Sequence, residues 1–170
     1  LLSIAGELDV ISASPELFVR RDGARVISSP IKGTAATPED MLPKDSAENI
    51  MIVDLIRNDL ARVARPGSVE VPELLRVERH PGLTHLVSDV VAEVEPDMSW
   101  SHLLSAMLPP GSVSGAPKSS ALEVIHRLEP VPRDVYCGAF GWVDADAQRA
   151  ELAVAIRTFW QRPDSEGAML

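Results

Sequence analysis

The sequence predicts a mixed α and β fold built as one domain, and three stretches predict it. Asp22-Gly23 separates two short strand-like runs, residues 16–21 and 25–29, which is a hairpin signature. Ile50, Val53, Ile56, Leu60 and Val63 recur at the spacing of one helix face. Residues 85–95 alternate, with Leu86, Val90, Ala92 and Val94 on one side and His85, Val87, Asp89, Val91 and Glu93 on the other. At 170 residues, 45% of them hydrophobic, the chain has material for one sizeable core.

Bulk charge narrows the partners. A net charge of −9 argues against nucleic acid and against anionic membrane surfaces. An anionic ligand would have to be drawn in by local positive groups or a metal. The one cysteine, Cys137, excludes an internal disulfide and fits a reducing, cytoplasmic setting. No apolar run is long enough to span a bilayer. The first residues read as neither a signal peptide nor a natural start, and the last as no natural end, so a fragment is expected.

Taken in order, residues 9–13 and 16–21 are short strands, with Glu16 behind Ser14-Pro15 at the head of the second. Alone, Glu16 reads as an edge carboxylate. After residues 25–29, Pro30 fixes φ and removes a donor, so the strand is expected to end there. Lys32 then sits on a constrained Pro/Gly-bounded loop, and Gly33 permits close backbone approach. A solvated loop lysine is the bland alternative. Residues 35–44 form a polar connection, and Asp45 or Ser46 caps a helix that runs to about residue 64, before Pro66-Gly67. Glu48 falls in its first turn, where the helix dipole favours a carboxylate. Asp54, Arg57, Asn58 and Asp59 are spaced to pair on the helix surface.

Residues 69–71 and 75–78 are short strand candidates. In the long strand that follows, His85 reads as a structural hydrogen-bonding residue or a site residue. Ser99 or Asp97 caps a short helix through residue 108. The loop Gly111-Ser112-Val113-Ser114-Gly115-Ala116-Pro117-Lys118 opens onto another helix, a geometry suited to anions. Its spacing is not that of a Walker A loop, which argues against nucleotide binding. Leu122, Ile125 and Leu128 are the expected buried face of that helix. Residues 136–143 and 151–160 read as strands, with Gly138 and Gly141 leaving room for something to approach. Arg157, flanked by Ala155 in mid-strand, needs a carboxylate if buried: an internal salt bridge or a ligand.

Several blocks occur in a meaningful order: Ser14-Pro15-Glu16, Pro30-Ile31-Lys32-Gly33-Thr34, Ala47-Glu48-Asn49, residues 54–60, His85-Leu86-Val87-Ser88, residues 111–118, Tyr136-Cys137-Gly138-Ala139 and Ala155-Ile156-Arg157-Thr158. In these the chain resembles the chorismate-utilising enzymes, the group containing anthranilate synthase component I, isochorismate synthase, salicylate synthase and aminodeoxychorismate synthase component I. The resemblance implies an α+β fold of mostly antiparallel sheets with helices packed outside and the site between the sheets. It implies that residues 1–170 are part of a single chorismate-binding catalytic domain, truncated at both ends.

A lysine at position 32 is similar to the aminodeoxychorismate synthase pattern; anthranilate synthases usually carry alanine there. That activity exchanges the 4-hydroxyl of chorismate for an amino group on the route to 4-aminobenzoate and folate. Its ammonia comes from a glutamine amidotransferase subunit. By resemblance, Lys32 attacks C2 as the hydroxyl leaves, and Glu16 is the general acid. An ordinary lysine, with a pKa of about 10.4, is protonated at neutral pH and cannot attack, so such a residue must be desolvated or lie near positive charge. Glu48 resembles a Mg2+ ligand, and the metal would hold the ring carboxylate. Tyr136 and Arg157 resemble the groups that bind the enolpyruvyl carboxylate. By the same resemblance, Thr34, Ser112, Gly115 and Ala116 are expected to line the substrate, and His85 matches a site histidine of open role. A further magnesium-binding glutamate and a glycine-rich loop would lie beyond Leu170, so residues 1–170 alone are expected to be inactive. Anthranilate synthesis with pyruvate release, or a non-catalytic relative of the same fold, are the other readings.

Overall fold

Asp22-Gly23 does form a hairpin, joining β3 (Leu17–Asp22) to β4 (Arg25–Ser29). The computed structural model describes residues 1–162. In these residues β1 (Leu2–Ile4), β2 (Leu8–Ser12) and β10 (Thr158–Gln161) form a small antiparallel sheet. A larger sheet combines β3 and β4 with β5 (Ile31–Ala35), β6 (Glu70–His80), β7 (Leu83–Glu93), β8 (Ala139–Asp144) and β9 (Arg149–Val154), again antiparallel throughout. The long strand β7 organises it. β6 runs along one edge of β7, while β5 and β4 share the other edge in turn.

Helix α1 (Pro43–Ala61) and α2 (Trp100–Met107) supply the helical side of the core. Ile52, Val53, Ile56, Leu60 and Val63 pack with Val26, Val90, Ala92, Val94, Leu103 and Met107. The fold is therefore α+β with helices against antiparallel sheet, as expected. The apolar stripe differs at its N-terminal end: Ile50 is 47% exposed and Asn49 is buried in its place. Asn49 Nδ2 donates to the Leu86 carbonyl (3.2 Å), and its Oδ1 accepts from Ser88 Oγ (2.5 Å), which itself accepts from Leu75 N (2.9 Å). A buried amide is tolerated because each of these groups finds a partner. The chain pins α1 across β7 onto β6, where two short strands were expected and one long strand forms.

Other boundaries shift for local reasons. Helix α1 begins at Pro43, and Asp45, expected as the cap, instead accepts from Leu42 N at 2.9 Å. Glu48 consequently falls in the second turn. Lys32 lies within strand β5, not on a loop, because the upper edge of β7 is free to pair beyond Pro30. The Pro30 carbonyl still accepts from Ser88 N at 3.2 Å. Gly33 interrupts the ladder with φ of 79° and a register shift, and a Cβ there would meet the Asp45 Cβ at 2.8 Å. The glycine thus admits the start of α1 against the strand.

Arg21 is buried in the larger sheet with no carboxylate partner among the described residues. It donates to the carbonyls of Gly23 and Met98 at 2.8 Å each, and its guanidinium stacks 4.8 Å from the Trp100 ring. Residues 111–118 fold as a single turn, α3 (Gly111–Ser114), followed by α4 (Lys118–Leu128). Leu122, Ile125 and Leu128 do not bury α4 among the described residues, and Leu128 is 71% exposed. Ser99 caps α2 as expected, accepting from His102 N.

Candidate active site

Two chain crossings between the sheets run side by side, and each carries a candidate residue. Residues 13–16 lead from β2 to β3, and residues 155–157 lead from β9 to β10. They are stitched by Ala13 N to the Arg157 carbonyl and Val154 N to the Glu16 carbonyl, both 3.0 Å. Residues 151–160 are therefore two strands in different sheets. Arg157 stands at the break with φ of 50°, exposed and without an ion pair among the described residues. The expectation of an arginine in mid-strand is corrected: the strand changes sheets at that position.

Glu16, on the neighbouring crossing, is 5% exposed. Desolvation pushes its carboxyl above the usual range, opposed by the nearby Ser112 hydroxyl and by the Lys32 ammonium. Ser112 Oγ lies beside the carboxyl without hydrogen-bond geometry and has no other protein partner. Ser112 thus stands beside Glu16, and Lys32 lies within electrostatic range of it while lining neither the cavity nor the groove at Glu16. Glu16 also lines an open groove of about 400 Å3 with Ser14, Arg20, Phe140, Trp142 and Glu151.

Thr34 and His85 form a second group. They pair across β5 and β7, with Thr34 Oγ1 3.0 Å from the buried His85 Nδ1, and the His80 ring meets His85 edge-on at 5.6 Å. Gly115 closes α3, its N–H donating to the Gly111 carbonyl at 3.1 Å, and Ala116 follows on the surface.

Tyr136 and Cys137 sit in the turn before β8, not within the strand. The Arg133 guanidinium lies 5.9 Å from the Tyr136 ring and binds Glu129 through two contacts of 2.6 and 2.8 Å. The Cys137 thiol beside it raises the Tyr136 phenol, and burial raises the thiol in turn. Tyr136, Arg157 and Glu48 line neither the groove nor the cavity behind Glu16. Glu48 is exposed and has no ion pair among the described residues. No three His, Cys, Asp or Glu side chains converge on a metal position among the described residues. Magnesium takes one or two carboxylates alongside substrate oxygens and waters, and Glu48 fits one of those places.

Sequence reasoning missed one pair. Asp59 was expected to pair along α1, where Arg57 does meet Asp54 at 3.2 Å. Asp59 instead accepts from Lys118 Nζ at 2.7 Å, and Lys118 also donates to the Met107 carbonyl at 2.9 Å. Burial raises the Asp59 carboxyl, and Lys118 opposes the rise. The signal was available: Asp59 borders the apolar stripe one turn before Val63, and Lys118 follows a Pro-led helix start.

The raised Glu16 carboxyl also makes a stability prediction. A carboxyl whose folded pKa exceeds its unfolded value of about 4.3 stabilises the fold below that value, and the contribution is lost as pH rises through the folded pKa. Glu16→Gln is therefore expected to raise the thermal midpoint at neutral pH, with the advantage over wild type shrinking towards pH 4. Parallel melting curves of the two proteins from pH 4 to 8 check it; a constant offset across that range would contradict the assignment.

Comparison with known proteins supports a common origin. A family model described as chorismate binding enzyme matches residues 2–168. Aminodeoxychorismate synthase component 1 of Klebsiella aerogenes is 45% identical over 166 residues, covering 89% of this chain and 37% of the relative. Anthranilate synthase component 1 of Aquifex aeolicus is 40% identical over 164 residues, covering 89% of the chain and 33% of the relative. The crystal structure of anthranilate synthase component I from Streptococcus pneumoniae TIGR4 superposes with a TM-score of 0.81 at 36% identity, covering 94% of this chain and 37% of that one. The chain thus spans little more than a third of the relatives it matches, and within that span it belongs to the chorismate binding enzyme family.

Proposed function

We propose that residues 1–170 are part of the chorismate-binding catalytic domain of a cytoplasmic aminodeoxychorismate synthase component I. The observation that carries this reading is a buried Glu16 whose carboxyl is pushed above its ordinary range by desolvation, with the Lys32 amine within electrostatic reach. Hydroxide is a poor leaving group, and a carboxyl whose burial favours the protonated form is suited to protonating it. Lys32 attacks C2 of the ring as the 4-hydroxyl departs as water. Ammonia then adds at C4 and expels the Lys32 amine, restoring the ring double bonds. The amine must reach the attack unprotonated, so the site has to keep it out of bulk water until substrate is bound.

Ser112, Gly115 and Ala116 border the substrate, with Thr34 and His85 on the neighbouring strands. Arg157, exposed and without an ion pair among the described residues, is available to a carboxylate of chorismate, with Tyr136 beside the same carboxylate. Magnesium, when bound, neutralises the ring carboxylate, and Glu48 supplies one of its oxygens. The relatives' designation as component 1 supports a partner, which we read as the glutamine amidotransferase that delivers ammonia. Among the described residues no helix is long and apolar enough to cross a membrane.

Anthranilate synthesis is the second reading, favoured by relatives of that activity at 39–43% identity. One assay separates them. The full protein, given chorismate, ammonia and magnesium, is expected to form 4-amino-4-deoxychorismate without pyruvate. Stoichiometric pyruvate with a fluorescent aromatic product would assign anthranilate synthesis instead.

A further inference from the structure

Behind Glu16 lies a small cavity of about 10 Å3 that the proposed reaction does not use. It is lined by Glu16, Ser28, Asp59, Met107, Gly111 and Ser112 among others. Its walls come from β3, β4, α1, α2 and α3. Such a space holds one water when two to four polar partners face it. Here two carboxyl groups and two hydroxyls do, and Ser112 Oγ is buried with no hydrogen-bond partner. Two polar groups that sit side by side without bonding geometry are a common signature of a bridging water. Asp59 is anchored independently, since its Oδ2 is held by Lys118. Oδ1 is left for another donor.

We propose that this cavity holds one ordered water hydrogen-bonded to Glu16, Ser112 and Asp59, through which the Asp59–Lys118 pair fixes which Glu16 oxygen offers its proton to substrate. The inference rests on the reading of Glu16 as general acid. The bookkeeping of donors is restrictive. Asp59 Oδ2 accepts from Lys118, and its Oδ1 is placed to accept as well, so the water gives it one hydrogen. Ser112 Oγ donates to the water, which gives its second hydrogen to the cavity-facing oxygen of Glu16. That oxygen is then an acceptor, and the carboxyl proton resides on the other one. Asp59 and Lys118 act through Glu16 and are positioning residues.

The charged groups around Glu16 set the sign of the test. Lys32 acts on it from β5, Asp59 of α1 stands across the cavity with Lys118 of α4 and Arg62 acting on it, and Arg20 and Glu151 border its groove. In the proposed arrangement the Asp59 carboxylate, one water away, disfavours ionised Glu16. Asp59→Asn in the full protein is therefore expected to move the alkaline limb of the kcat–pH profile down, on the order of half a pH unit or more. Lys118→Arg, which keeps the ion pair, is expected to leave the limb where wild type has it. Lower kcat in Asp59→Asn with an unmoved profile would mean a structural role only and would overturn the positioning claim.

A crystal structure of the full wild-type protein that resolves ordered waters provides the second arm and needs no variant to fold. One water within hydrogen-bonding distance of Ser112 Oγ, Glu16 and Asp59 supports the proposal. A collapsed cavity with Ser112 bonded directly to Glu16 overturns it. Glu16→Gln separates the two levels. If that variant keeps its rate and alkaline limb, the general-acid reading has failed; if it loses both while the cavity is dry, only the water has.

Discussion

Lys32→Ala in the full protein is expected to lower formation of 4-amino-4-deoxychorismate by roughly a thousandfold or more, the usual scale for removing a covalent nucleophile. Chorismate binding is expected to change far less, because carboxylate capture is proposed for Arg157 and the magnesium site. Two different effects would each lower the rate, and a second variant tells them apart. Alanine removes both the amine and a positive charge that opposes the raised Glu16 carboxyl. Lys32→Arg keeps the charge and removes the nucleophile. If the arginine variant is as inactive as alanine, the amine itself is required. If it recovers most of the rate, Lys32 serves as a charge and the covalent step is wrong. Steady-state kinetics with chorismate and ammonia, read beside a direct binding titration, gives both numbers. Wild-type turnover by Lys32→Ala would refute the role altogether.

The placement of Lys32 also shows where sequence pattern loses sight of structure. Pro30 and Gly33 punctuate the chain as loop residues do, and a loop was the natural reading. Yet the chain continues as β5, because β7 is longer than β4 and offers an unpaired edge. That edge is a property of another part of the chain and leaves no mark near residue 32. Arg157 fails in the same way. Residues 151–160 read as one continuous, mostly apolar strand, while the hydrogen-bonding partner changes from β8 to β2 in the middle. A period of two reports which face a side chain takes, not which sheet it belongs to.

Where neighbours in sequence set the outcome, the reading holds. The Asp22-Gly23 hairpin, the core face of α1 and the Ser99 cap of α2 are all local. Family blocks, unlike periodicity, named Glu16, Lys32 and Ser112 as site candidates although they are far apart along the chain. Asp59 and Lys118 both lie within these blocks, but nothing in the blocks pairs the two across 59 residues.

Gly141 extends that lesson into a stability test with a large expected effect. In the sequence, Gly138 and Gly141 read as space left for a ligand. The space at Gly141 is already filled: a Cβ would meet the Glu151 carbonyl oxygen at 2.0 Å and the Leu152 Cα at 2.9 Å. Both are backbone atoms of β9, held by the β3–β9 and β8–β9 ladders, so no rotamer change relieves the clash. Ordinary overpacking costs about 1–3 kcal/mol because side chains give way. Gly141→Ala is expected to cost more than about 4 kcal/mol, in the exceptional range for a single substitution. A denaturant titration against wild type measures it. Gly138→Ala is the control, since its Cβ would approach only the Val135 carbonyl, at 3.1 Å, and a loop can yield. Equal small losses for the two would show that β8 and β9 are not so closely set. A large loss confined to Gly141 would fix Phe140 and Trp142 on a rigid wall of the groove that borders Glu16, with the shape of that wall set by main chain and not by side-chain adjustment.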